Sequence, residues 1–144
     1  MIARSAPRAF RKFDAGANHR SPRADKHDCQ VRALVTASGA SYADAWQLLY
    51  VLQGERRACG FTLVDDLRAR DPRLRVVEEL AFPAVRGEPR MTGEAFCRKY
   101  PRGNFILRMA HHVAAVKDGQ VYDTWDSTDR CVYAAWQIEP LGEP

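Results

Sequence analysis

Read as apolar against polar positions, the chain changes period once. Up to about residue 100 the apolar residues recur mostly at helical spacing, and beyond it they alternate. Asp28 is a good N-cap, which puts Cys29 at the first helical position. Val31, Leu34 and Val35 follow as an apolar stripe, and Gly39 supplies a C-terminal stop. Ser41 caps a second helix with Asp44 in the place of a capping-box acid. Tyr42, Ala45, Trp46, Leu48, Leu49 and Leu52 form its apolar face, and Gly54 ends it. Thr62 opens a third, short helix with Leu63, Val64 and Leu67 apolar, closed before Asp71-Pro72. Leu74 to Phe82 reads two ways: its Leu-Arg-Val-Val start suits a strand, its Glu78-Glu79-Leu80 a helix. Thr92 to Tyr100 predicts another short helix, stopped by Pro101 and Gly103.

Strands follow. Asn104 to Ala110 alternates, with Phe105, Leu107 and Met109 on one face, and Cys131 to Ile138 is a Val/Tyr/Trp-rich final strand. Between them runs HHVAAVKDGQVYDTWD, where Asp118-Gly119 joins two β-prone runs. A type I′ turn needs φ > 0 at both central residues, so Asp-Gly predicts a two-residue hairpin. Helices first and an antiparallel meander last indicate an α+β fold, with N-terminal helices packed on a C-terminal antiparallel sheet. Residues 1–24 show no sustained period and read as a basic, extended, partly disordered lead-in; residues 25–144 make one domain.

The hairpin register has a chemical consequence. With Asp118 and Gly119 as the turn, Ala114 faces Asp123, and His112 shares the face of Ala114 because side chains alternate. His112 and Asp123 are then diagonal neighbours, an arrangement that orients an imidazole. A three-residue turn would set Asp126 opposite His112 instead, although Asp-Gly favours the shorter turn. His111 falls on the other face. Trp125 reads as core, as a shield over the His–Asp contact, or as both, since the two roles are compatible. Far upstream, Cys29 is a candidate nucleophile: the first turn of a helix favours thiolate, and Lys26, His27 and Arg32 add positive charge. Arg32 suits a solvated helix face, or a loop clamp on Asp25 or Asp28.

Composition changes this picture little. Of the 144 residues, 46% are hydrophobic and 28% charged, ordinary for a globular domain. No apolar stretch approaches a membrane span. The start MIARSAPRAFRKF has no apolar h-region, so a cytoplasmic location is expected. The four cysteines at 29, 59, 97 and 131 form no CxxC pair and are expected as reduced thiols. The net charge of +4 is uneven, with eight Arg or Lys residues among the first 32 positions and outside the initial apolar residues. That arm is a solvated tail, or a contact for nucleic acid or an acidic partner.

The segments DCQVRAL, HVAAVKDGQVYDTWD and RCVYAAW resemble papain-like cysteine peptidases, which order a helix-start cysteine, a strand-start histidine and then Asn or Asp. His112-Val-Ala-Ala-Val is similar to the family's His-Ala-Val-Ala-Val type of strand. Asp123-Thr124-Trp125 is similar to its Asn-Ser-Trp, where the amide orients the histidine and the tryptophan shields that contact. A closer likeness is to small phage and bacterial proteins of this type, with a DCxxRA helix start and a HxxAVxDGxxxDTxD hairpin. It covers most of Asp28 to Trp136, loosely in the middle. The resemblance implies a papain-like fold and a thiol-dependent hydrolase of a peptide, isopeptide or related amide bond. Cys29 would be the nucleophile, His112 the base and then acid, and Asp123 the orienter. The substrate would be a protein or peptide, with no cofactor and no metal.

The Cys29 N–H would serve as one oxyanion donor. For the second, papain-type enzymes carry a glutamine about six positions before the cysteine, where this chain has Arg23; Asn18, Lys26 and His27 are the substitutes. Two other classes of function compete. One is a catalytically inactive papain-like fold used as a protein-interaction module, for instance by a phage against a host factor. The other is metal binding through Cys29, His27, His111 and His112, whose spacing matches no zinc motif.

Overall fold

The computed structural model describes residues 9–15, 29–53 and 75–140. Among them are six strands, β1 (Phe10–Lys12), β2 (Arg75–Ala81), β3 (Asn104–Met109), β4 (His112–Lys117), β5 (Gln120–Asp123) and β6 (Val132–Glu139), and three helices, α1 (Cys29–Ser38), α2 (Tyr42–Gln53) and α3 (Gly93–Lys99). The fold is α+β. No helix among the described residues is long and apolar enough to cross a membrane.

The strands form one sheet in the order β1-β5-β4-β3-β6-β2. Its centre is the expected meander: β4 pairs antiparallel with β3 and β5, and β3 with β6. The sheet is nevertheless wider than the C-terminal meander and is mixed. Residues 10–12, part of the predicted lead-in, add a parallel edge strand to β5, with Lys12 opposite Asp123. The ambiguous stretch around 75–81 is a strand, antiparallel to β6. Its two glutamates are exposed at the sheet edge, so the helix-like Glu-Glu-Leu spacing lost to backbone pairing.

Helices cover both faces. On one, Val31, Leu34 and Ala37 of α1 and Tyr42 and Ala45 of α2 bury against Ile106, Val113, Ala115, Trp136 and Ile138. On the other, Phe96 and Cys97 of α3 meet Phe105, Leu107, Met109, Ala114, Val116 and Val121. This double cover explains why β4 is apolar at four consecutive positions, Val113 to Val116, all buried. Fully burying each such side chain is worth roughly 1.5–3 kcal/mol.

Local signals terminate the helices. Gly39 stands at φ 81 and donates its N–H to the Val35 carbonyl, closing α1 where a side chain would be strained. The Ser41 hydroxyl accepts from the Asp44 N–H at the start of α2, and that of Thr92 from the Ala95 N–H at the start of α3. Asp28, the predicted cap of α1, lies outside the described residues, as do the helix read from Thr62, Cys59, and the side chains of Leu48, Leu49 and Leu52.

Candidate active site

The site is built at the end of the β4–β5 hairpin away from its turn. That turn is the predicted one: Asp118 and Gly119 have φ 46 and 78, and Lys117, Val116 and Ala115 pair with Gln120, Val121 and Tyr122. The turn is tied down from outside, since the Asp118 carboxylate accepts from the Gly103 N–H at 2.9 Å and the Asp118 N–H donates to the Gly103 carbonyl. With the register fixed, His112 opens β4 and Asp123 closes β5. The ladder stops at Ala115 and Tyr122, which leaves this end of the hairpin open to α1.

His112 and Asp123 meet as the alternation argument requires, with Nε2 to Oδ2 at 2.5 Å. The second neighbour of His112 is the Cys29 thiol at the N-terminus of α1, which is hydrogen-bonded to the imidazole. With Nε2 spent on Asp123, Nδ1 is the nitrogen available to sulfur. Cys29, His112 and Asp123, 94 positions apart at the extremes of the sequence pattern, therefore form one continuous chain of contacts. Cys29 is buried apart from 9% of its surface.

Electrostatics follow from this geometry. Burial opposes a charged imidazole, but the hydrogen bond to Asp123, then that to Cys29, and the attraction to both outweigh it. His112 is raised from 6.5 to about 9. Burial likewise opposes charge on Asp123, yet its bonds to His112 and Arg32 hold the carboxyl below its usual range. At neutral pH the histidine is thus positive and the aspartate negative.

Asp123 is 1% exposed and accepts four hydrogen bonds. Oδ1 takes the Arg32 guanidinium (Nη1) and the Thr124 N–H, each at 2.8 Å. Oδ2 takes His112 and the Ser127 hydroxyl, the latter at 2.9 Å. Arg32 therefore clamps the hairpin carboxylate; Asp25 and Asp28, its expected partners, lie outside the described residues. The sequence offers Arg32 as a clamp but with Asp25 or Asp28 as partner, and nothing local marks Ser127.

Trp125 is not a core residue. It is 40% exposed and lies over His112, with ring centroids 4.7 Å apart, and Arg130 sits above its ring at 5.3 Å. This is the shielding role and not the filling one. Asp126 is exposed and accepts from the Thr128 N–H and hydroxyl in a local turn, so it is not the carboxylate bonded to His112. His111 is exposed and held at φ 52 in the two-residue turn between β3 and β4. Among the described residues no three His, Cys, Asp or Glu side chains are grouped to hold a metal ion. Asn18, Arg23, Lys26 and His27, the candidates for the second oxyanion donor and, for His27, a metal ligand, lie outside the described residues.

Cys97 is placed differently from a nucleophile. It is buried in the opposite face, and burial, with Glu94 adding to it, pushes its thiol up to about 11. Beside the hairpin end, a cleft of about 550 Å³ is lined by Lys12, Phe13, Asp14 and Thr124. It borders the main chain of the hairpin end, where the Phe13 N–H donates to the Asp123 carbonyl at 2.8 Å. No family model, curated protein or solved structure matches this chain.

Proposed function

We propose that this protein is a thiol-dependent acyl-transfer hydrolase of papain-like type, cleaving a peptide, isopeptide or related amide bond. The observation that carries this reading is one imidazole held between a helix-start thiol and a buried carboxylate. In it Cys29 is the nucleophile, His112 moves the proton, and Asp123 fixes the tautomer and orientation of His112.

The sequence of events conserves every proton. With the Cys29 proton already held on His112 Nδ1, the thiolate attacks the carbonyl carbon. The resulting oxyanion faces the unsatisfied N–H groups at the start of α1, where the helix dipole favours negative charge. The C–N bond breaks as His112 returns its proton to the leaving nitrogen, and a thioester remains on Cys29. Water, giving a proton to His112, attacks the thioester. Its collapse releases a carboxylic acid and restores the thiolate–imidazolium pair.

Thiol chemistry tests the reading before any substrate is known. Iodoacetamide at pH 6–7 should alkylate Cys29 faster than the other cysteines, and His112→Ala should remove that advantage. A Cys29 that reacts no faster than a thiol of the unfolded chain would sink the proposal. Activity-based probes carrying different acyl groups would then sort the substrate class.

A further inference from the structure

Orienting a histidine takes one acceptor. Here the acceptor is a carboxylate that also holds a cation, Arg32, whose guanidinium is 11% exposed and 2.8 Å from Oδ1. Taken alone, that cation works against the site, because it lies across one carboxylate from the histidine that must carry a positive charge. Its presence needs an account beyond holding the hairpin to α1.

We propose that Arg32 is a positioning residue that cancels the net charge of Asp123 and fixes which oxygen faces His112, so that the Arg32–Asp123 pair orients the imidazole as one neutral acceptor. A lone buried carboxylate would grip the imidazolium and slow the return of its proton to the leaving nitrogen. Arg32 weakens that grip without removing the acceptor. It also makes the aspartate obligatory. Both oxygens face two donors each, so an asparagine at 123 must turn its NH2 toward one pair. Arg32 cannot give up its acceptor, whereas Ser127 can rotate its hydroxyl. The amide oxygen therefore goes to Arg32 and the NH2 to His112. Nε2 must then accept, the imidazole proton moves to Nδ1, and Nδ1 can no longer take the thiol proton.

Among the described residues, the charged and titratable groups near His112 are Cys29 and Arg32 on α1, Asp123 on β5 and its own neighbour His111. Arg108 stands one register position away on β3, Arg130 lies beyond the Trp125 ring, Lys12 of β1 is opposite Asp123, and Asp14 lines the neighbouring cleft. Of these cations Arg32 shares a carboxylate with His112, so its removal has the most direct effect.

The proposal rests on the acyl-transfer reading for its purpose, but its electrostatics can be read without it. Imidazole proton NMR, with His112 assigned by its loss in His112→Gln, gives the midpoint directly. Two like charges bound to the two oxygens of one carboxylate in a partly buried site interact by about one pKa unit or more. The midpoint should therefore rise by about one unit in Arg32→Met and stay at the wild-type value in Arg32→Lys. An unchanged midpoint in Arg32→Met overturns the proposal, whether or not Cys29 proves reactive. The second readout is Cys29 alkylation. Asp123→Asn should be slow, and Arg32→Met with Asp123→Asn should recover at least tenfold, because the freed amide can turn its oxygen to Nε2–H. A double variant no faster than Asp123→Asn overturns the proposal as well. The double variant replaces an ion pair by neutral groups of similar size, so it should fold at least as well as Asp123→Asn.

Discussion

The stability advantage of the wild type over His112→Gln should fall as the pH is raised from 6 to 10. The folded protein holds this imidazole at about 9 against an ordinary value of 6.5. The folded state thus binds the proton more tightly than the unfolded chain. The resulting stabilisation is complete below pH 6.5, declines between pH 6.5 and 9, and is gone above about 9. A rise of that size corresponds to roughly 3 kcal/mol, a large fraction of the 5–15 kcal/mol that holds a typical domain together. The assay is urea denaturation of wild type and His112→Gln at each pH. Asp123 stays ionised in both across this range, so its contribution largely cancels in the difference. The wild-type advantage should shrink by roughly 3 kcal/mol from pH 6 to pH 10, which moves the wild-type midpoint down by about 1–2 M relative to the variant. In a Cys29→Ser background the change should be smaller but stay above about 1 kcal/mol, since the bond to Asp123 is the larger of the effects raising His112. A difference that does not vary with pH would refute the reasoning, because it would mean His112 is not charged in the folded protein at neutral pH.

Three further outcomes follow from the same geometry. Asp123→Asn should lower iodoacetamide reactivity of Cys29 by about 10²–10⁴ through the wrong imidazole tautomer; reactivity within tenfold of wild type speaks against Asp123 as the orienter. Ser127→Ala removes a buried hydroxyl, 0% exposed, from Oδ2 of Asp123. It should cost about 1–2 kcal/mol in denaturant melts while leaving the His112 midpoint within about half a unit, since the charged partners remain. His111→Gly should stabilise by about 1 kcal/mol, because a non-glycine residue at φ 52 is strained; a lower melting temperature would show instead that the His111 side chain contributes contacts that outweigh the strain.

The hairpin was legible in advance because its information is local. Asp118-Gly119 dictates a turn with two positive φ angles, the turn dictates the register, and the register makes His112 and Asp123 diagonal neighbours. The caps at Ser41 and Thr92 and the stop at Gly39 were readable for the same reason: each is a side chain or glycine acting within four residues. Cys29 could be placed at a helix start from neighbouring residues, and its distance in sequence from His112 was bridged only by resemblance.

What the sequence could not determine was every contact made between segments far apart. Arg32 and Asp123 are 91 positions apart, and the arginine reads as a solvated helix cation or a clamp on Asp25 or Asp28 until α1 is laid against the end of the hairpin. The strand at 75–81 has local propensities that balance, and pairing with β6 decided between them. The parallel edge strand at 10–12 is too short to carry a period and exists because β5 offers it a partner. The sequence by itself determined the turns, the caps and the His–Asp register, since these are fixed by backbone sterics and hydrogen bonds within a few residues. Only the tertiary structure brought the thiol to the imidazole and the arginine to the carboxylate. Burial of those charges has meaning only once distant elements have closed around them.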